Sequence, residues 1–213
     1  MPSCCARPSD YESFFGRRAA ARDARRFRRR GVRGTARTVV DLAGDVRGET
    51  VLEIGGGIGA IELELLAAGA ERATSVELSS GYEEAARELL AERGLADRVE
   101  RRLGDFAADP TGIGPHDVVV MHRVVCCYPD ADTLVGAAAE RARRRLVLTY
   151  PQDRALVHLA ARAGNLLLRL SGSSFRIYVH RLERIDAAAA AHGLTRTVRR
   201  PQGMLWETAL FAT

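Results

Sequence analysis

The chain contains no lysine; all 32 of its basic residues are arginine. Such a skew, beside so much alanine, reads as compositional bias, so arginine clusters carry little weight as signs of a nucleic-acid surface. No apolar run reaches the roughly 20 residues that span a bilayer, and no signal-peptide core stands at the N-terminus. Cysteine is confined to two adjacent pairs, Cys4-Cys5 and Cys126-Cys127. Neighbouring cysteines rarely bridge each other, and this spacing fits no zinc site, so neither a disulfide framework nor a metal centre is expected. A reduced, cytoplasmic protein is the reading these absences leave.

With 213 residues, 46% hydrophobic and 28% charged, the chain has room for one sizeable α/β domain, 1–213, and not for two. Its organising stretch is Val51-Leu52-Glu53-Ile54-Gly55-Gly56-Gly57-Ile58-Gly59. A short apolar run enters closely spaced glycines, and an Ala/Leu/Glu-rich stretch leaves them. This order predicts a buried parallel strand over 50–54, a tight turn that lets a ligand approach the backbone, and a helix over 60–68. Further strands are expected over 73–77, 99–103, 117–121 and 146–150. Ser80-Gly81-Tyr82-Glu83 reads as a capping box opening a helix to about Arg93, and Pro129-Asp130 starts another reaching about Arg144. Strands alternating with helices imply a doubly wound, Rossmann-like α/β sheet, mostly parallel. Residues 194–200 and 204–212, split by Pro-Gln-Gly, add a C-terminal antiparallel hairpin and bring the count to seven strands.

Residues 1–9 read as a frayed tail. Residues 11–37 interleave arginines with Phe14, Phe15, Ala19, Ala20 and Phe27, which predicts one or two helices broken near Gly31 to Gly34. The arginines suit a solvated helix face. The segment 1–37 would also serve as a basic flap, with Tyr11, Phe14 or Phe15 turned inward. RNA binding has no recognition motif behind it, and no nucleic-acid partner is expected. Residues 151–192 exceed what a crossover helix requires and read as a lid insertion. Its first part, Ala155–Leu170, is dense in leucine. That suits a buried helix, or an apolar underside for a large flat substrate or a membrane surface. Residues 171–174 break it, 175–180 are extended, and a last helix covers 182–191.

Gly55-Gly56-Gly57-Ile58-Gly59-Ala60 also satisfies a dinucleotide-binding pattern, so the glycines leave the ligand open. Glu53 would lie where a dinucleotide places its pyrophosphate, a poor neighbour for two negative charges, whereas a cationic ligand suits it. Glu77 ends the second strand about 20 residues after the turn, the spacing of an acid that accepts from ribose hydroxyls. The run around Glu53 resembles motif I of class I S-adenosylmethionine (SAM) methyltransferases, in which an acid commonly stands two positions before the first glycine. That resemblance implies SAM as cofactor, held by Glu53, Gly55, Gly56, Gly57, Gly59 and Glu77. It implies Asp105 and Phe106 on the adenine amine and ring, with Leu78 beside them. The fourth strand would end between donor and acceptor, where His122 can line the cofactor pocket, bind the acceptor or act as a base. Neither the Pro-Pro motif of many N-methyltransferases nor an acidic magnesium cluster is present. Cys126 and Cys127 read as packing residues.

A narrower resemblance rests on Arg144-Arg145-Leu146-Val147-Leu148-Thr149-Tyr150-Pro151, the apolar lid and Phe175-Arg176-Ile177-Tyr178-Val179-His180, with Tyr11 to Phe15, Asp23 and Arg28 similar in style. These are similar to magnesium-protoporphyrin IX O-methyltransferases, most specifically in the last third, although Gly56 and Ile58 stand where many relatives carry cysteine and threonine. The resemblance implies a small-molecule acceptor, a carboxylate on a bulky apolar body such as a metalloporphyrin. Tyr128, Arg176, Tyr178 and His180 are then the candidates to hold it. A carboxylate is ionised at neutral pH and needs no base, whereas a phenol, amine or thiol acceptor would call on His122. Two other classes stay open on the residues alone: an NAD(P)-linked oxidoreductase using the same turn, and a non-catalytic SAM- or RNA-binding protein.

Overall fold

Strands built almost wholly of aliphatic residues at their centres must be covered on both faces, and this sheet is. The structure is a computed structural model that describes residues 8–213. The parallel strands are β1 (Thr50–Ile54), β2 (Arg72–Glu77), β3 (Val99–Leu103), β4 (His116–His122) and β5 (Ala142–Pro151). β6 (Thr195–Gln202) and β7 (Trp206–Ala212) close the sheet in the order β3-β2-β1-β4-β5-β7-β6, with β7 antiparallel to both of its neighbours. The expected seven strands are all present.

Alternation along each strand feeds two cores. Leu52, Ile54, Val119, Met121, Leu146, Leu148 and Tyr150 face α6 (Ala131–Glu140) and α8 (Leu182–Ala190). Val51, Val118, Val120 and Val147 face α3 (Thr35–Ala43) and α4 (Ala60–Ala67). Helices therefore leave β1 and β4 toward opposite faces, and a crevice opens between the carboxyl ends of those two strands, where open α/β sheets bind ligands. α5 (Glu83–Glu92) covers the β2–β3 edge. α1 (Pro8–Phe15) and α2 (Arg17–Arg30) run over the crevice from the same side. α2 is anchored by Ala19, Ala20, Ala24 and Phe27 against Leu89 and Leu90, while Arg28 pairs with Glu88 and Glu92 of α5.

Four details differ from the sequence reading. Residues 1–7, most of the expected tail, and the Cys4-Cys5 pair lie outside the described residues, and Pro8 and Ser9 already belong to α1. The Ser80–Glu83 capping box does not form. Glu83 is drawn to Arg101 at 2.9 Å, so Ser79 caps instead, accepting from the Gly81 amide at 3.2 Å and donating to the Phe15 carbonyl at 2.7 Å. The helix expected to reach Arg144 ends at Glu140, because Ala142 and Arg145 pair with His116 and Val118 across a bulge. Arg144 and Arg145 then both reach Glu49, and that placement suits a strand start.

The fourth concerns α7 (Ala155–Leu170), which is neither a buried helix nor a roof over the crevice. Only Val157 is buried; Leu156, Leu159, Leu166, Leu167 and Leu170 are 56% to 75% exposed. No helix of the described residues is long and apolar enough to cross a membrane.

Candidate active site

The glycine turn after β1 is shaped as much by the protein's own carboxylates as by any ligand. Glu53 points off the end of β1 into a space where it accepts the Glu62 amide at 2.9 Å, the open N-terminus of α4. A Cβ at Gly56 would meet the Glu53 carboxyl carbon at 2.7 Å, and one at Gly59, whose φ is +75°, would meet Glu62 Oε1 at 2.2 Å. Glu77 at the end of β2 accepts from the Gly57 amide at 2.8 Å and the Ser79 amide at 2.9 Å. Three carboxylates thus converge under one turn.

A single buried cation serves this floor, and of the three carboxylates it bonds only Glu62. Arg101 on β3 is almost wholly buried and donates to Glu62 (3.2 Å), Glu83 (2.9 Å), Ser75 (3.2 Å) and the Gly57 carbonyl (3.1 Å). Burial pushes Glu53 well above the usual carboxylate range, with Glu62 adding to the effect. It raises Glu62 to about 7 against the pull of Arg101, and it raises Glu77 as well. One buried guanidinium against three buried acids leaves this floor short of positive charge, a demand that a cationic ligand meets. Arg101 and Glu62 were not among the expected site residues. The available signal was period two in β3, which puts Arg101 on the inward face with Val99.

Above the floor lies a cleft of about 430 Å³ walled by Tyr11, Phe15, Arg26, Arg33, Tyr82 and His122, within the range of small-molecule sites. His122 ends β4, with Nε2 2.8 Å from the Thr35 hydroxyl of α3. Burial, then the charge of Arg123, lowers its pKa to about 4. At neutral pH it is an uncharged imidazole and a weak base.

A second, more apolar cavity adjoins the cleft through Gly55, Val124, Cys127 and Tyr11. Its walls include Leu78, Asp105, Phe106 and Tyr128. Leu78 is 38% exposed, so it is a wall here and not a core leucine. Asp105 Oδ1 accepts from the Ala107 and Ala108 amides at 3.0 and 3.2 Å, while Oδ2 is buried with no partner among the described residues. An acceptor left so costs roughly 1–3 kcal/mol. A small, mostly apolar cavity with one orphaned carboxylate oxygen suits an apolar group that carries an amine.

The expected acceptor-holding residues fare differently. Tyr128 lines that cavity and not the wider cleft. Arg176 spends its guanidinium on the Ser173 and Phe175 carbonyls, both at 2.7 Å, because the loop folds back on it. His180 Nε2 faces the Val125 and Tyr128 carbonyls at 3.1 and 2.9 Å, so it must be the N–H donor to both. Tyr178 stacks on His180, and its amide donates to the Cys126 carbonyl at 2.8 Å. None of these three lines either cavity. Tyr178 and His180 strap the turn after β4 in place, while Arg176 closes its own loop. Phe175 meanwhile packs against Phe14 at 5.0 Å and Phe15 at 5.8 Å, joining α1 to the lid segment.

Residues 51–147 match the family model described as a methyltransferase domain. No curated protein matches this chain significantly. Among solved structures, magnesium protoporphyrin IX methyltransferase from Synechocystis PCC 6803, with S-adenosylhomocysteine (SAH) bound, is 18% identical with a TM-score of 0.72, covering 96% of this chain and 98% of that one. An O-methyltransferase family 2 protein from Planctomyces limnophilus in complex with apigenin is 19% identical, TM-score 0.67, covering 92% and 62%. Geranyl diphosphate C-methyltransferase from Streptomyces coelicolor is 13% identical, TM-score 0.65, covering 83% and 77%. The chain shares the fold of these methyltransferases, and its residues 51–147 are similar to a methyltransferase domain.

Proposed function

We propose that this methyltransferase takes its methyl group from SAM and delivers it to a carboxylate oxygen of a bulky, largely apolar acceptor. The observation that carries the cofactor is the pairing of a cation-deficient floor at Glu53 with an orphaned Asp105 oxygen in an apolar cavity. Glu53 and the turn Gly55 to Gly59 would face the ammonium and sulfonium of the cofactor. Glu77 keeps lone pairs for ribose hydroxyls beside the two amides it already accepts. Asp105 would take the adenine amine, with Leu78 and Phe106 flanking the ring. A pyrophosphate has no place beside Glu53 and Glu77, and this disfavours the oxidoreductase alternative.

Bound there, SAM supplies an activated methyl group with its own leaving group. The protein's part is alignment and the exclusion of water. Tyr11 and Phe15 cover the cleft, and His122, uncharged and held by Thr35, borders it without drawing off a proton. A carboxylate acceptor, ionised above pH about 4, matches a site with so weak a base. Magnesium protoporphyrin IX methyltransferase is among the proteins this chain resembles in fold, and a porphyrin propionate meets the description. The outward leucines of α7 support a further reading, in which the lid helix rests on a membrane surface while the cleft stays in water.

Methyl-labelled SAM offered with a panel of porphyrins, phenols, thiols and carboxylic acids tests the acceptor class. A carboxyl methyl ester releases labelled methanol in mild alkali, and this is the expected product. Label that survives alkali, as an ether, thioether or methylamine would, overturns the carboxylate reading.

A further inference from the structure

The acids under the glycine turn outnumber the cations that could answer them. Glu62, in the first turn of α4, is fully buried. Its Oε1 accepts from Arg101 at 3.2 Å, while its Oε2 has no hydrogen-bond partner among the described residues. Its amide donates to Glu53 Oε2 at 2.9 Å, and the two side chains fill the spaces that a Cβ at Gly59 or Gly56 would need. Glu53 lines the cleft, and Glu62 stands behind it.

Each element packed around this pair brings charge with it. β1 supplies Glu53, β2 supplies Glu77, β3 supplies Arg101, and α5 supplies Glu83, which both Arg101 and the exposed Arg87 reach. Tyr82, just before α5, turns its hydroxyl to Asp23 of α2, which Arg22 also pairs. Arg37 and Asp41 of α3 pair with each other. Among the described residues, Arg101 is therefore the one buried cation facing Glu53, Glu62, Glu77 and Glu83. Like charges so placed do not all ionise together. Burial first, then Glu62, raises Glu53, and burial raises Glu62 to about 7 against the pull of Arg101.

We propose that Glu62, acting through Glu53, is a positioning residue that makes the cleft prefer SAM to its product SAH, by sharing a proton that the sulfonium displaces. The inference rests on reading this cleft as the SAM site. A sulfonium beside Glu53 supplies the positive charge that the floor lacks, and the shared proton leaves to solvent. Methyl transfer breaks the carbon–sulfur bond with its electron pair on sulfur, while the acceptor's own pair forms the new bond. The sulfonium charge is then gone, and a solvent proton returns to the two acids. One charge thus favours both the capture of SAM and the release of SAH.

The test is calorimetric titration of the full chain with SAM and with SAH at pH 6.5, in buffers of different ionisation enthalpy, which counts the protons released. That pH lies below the α-amino range, so both ligand amines keep their protons, and His122 stays uncharged. SAM should release roughly half a proton more than SAH, and the affinity ratio of SAM to SAH should rise about fivefold or more between pH 5.5 and 7. Glu62→Gln keeps an acceptor for Arg101 and should abolish both the excess proton and the rise in the ratio, with SAH still bound. Glu84→Gln, at an exposed acid of α5, should retain both. Equal proton counts for SAM and SAH in the wild type, or a ratio indifferent to pH, overturn the proposal whether or not the Glu62 variant folds. An excess that survives in folded Glu62→Gln overturns it too. Failure of the wild type to bind either ligand marks instead the failure of the cofactor reading.

Discussion

His122 shows how far a residue's chemistry depends on surroundings that spacing cannot reveal. Its place at the end of β4 was legible, and the Thr35 hydroxyl beside it and its depth were not, because α3 reaches it from 87 residues away. With a folded pKa of about 4 against an ordinary 6.5, the native state binds fewer protons than the unfolded chain between those values. The stability this group contributes is fully present above pH 6.5 and is lost as pH falls toward 4. Glu62, raised to about 7, acts in the opposite sense, its contribution present below the unfolded carboxylate range and lost as pH rises through 7. The two are separated by comparison with His122→Gln in denaturant titrations. The wild-type advantage should be constant above pH 6.5 and shrink between 6.5 and 4, and a constant difference would contradict the buried, neutral imidazole. The candidate acceptor residues Arg176, Tyr178 and His180 lie away from both cavities for a related reason. A cation or ring in a lid reads as substrate-facing, yet loop carbonyls that need donors claim two of the three side chains.

At the scale of the element, strands and helices were easiest to read where burial enforces a period. β1, α4 and the hairpin were expected within a residue or two. α6 was read four residues too long because Arg143 to Arg145 suit a helix end as well as a strand start, and only pairing with β4 decides. α7 was delimited correctly and its surroundings stayed open between a core and an outward apolar face, since a leucine stripe looks alike whether it faces a core or water. Leu156, Leu159, Leu166, Leu167 and Leu170 fall on one face, beside Arg162 and Arg169, and the helix contains no acid. If that face meets a membrane, the protein should co-float with phosphatidylglycerol vesicles at low salt and much less with phosphatidylcholine. The double variant Leu159→Glu/Leu166→Glu should abolish flotation with Tm unchanged. Equal flotation of wild type and double variant would remove α7 from any membrane role.

Over the whole molecule, the sheet order places Glu53, Glu77 and Asp105 at the ends of three neighbouring strands, and that convergence was readable from one acid per strand. The support beneath it was not. Arg101 reaches the glycine turn from two strands away, and a charged residue in a strand betrays its burial only by parity. Arg123 is equally silent in sequence, because nothing in Met121-His122-Arg123-Val124 announces the left-handed backbone it adopts, with φ +61°. The account of the cleft stands on its ligand, and calorimetric titration of the full chain with SAH and with NADH, for wild type and Asp105→Ala, tests it most directly. SAH should bind one site per chain with micromolar affinity, about tenfold or more weaker in the variant, as the loss of a charge-assisted hydrogen bond implies, and NADH should not bind. Binding of NADH with none of SAH, or SAH affinity indifferent to Asp105, would contradict it.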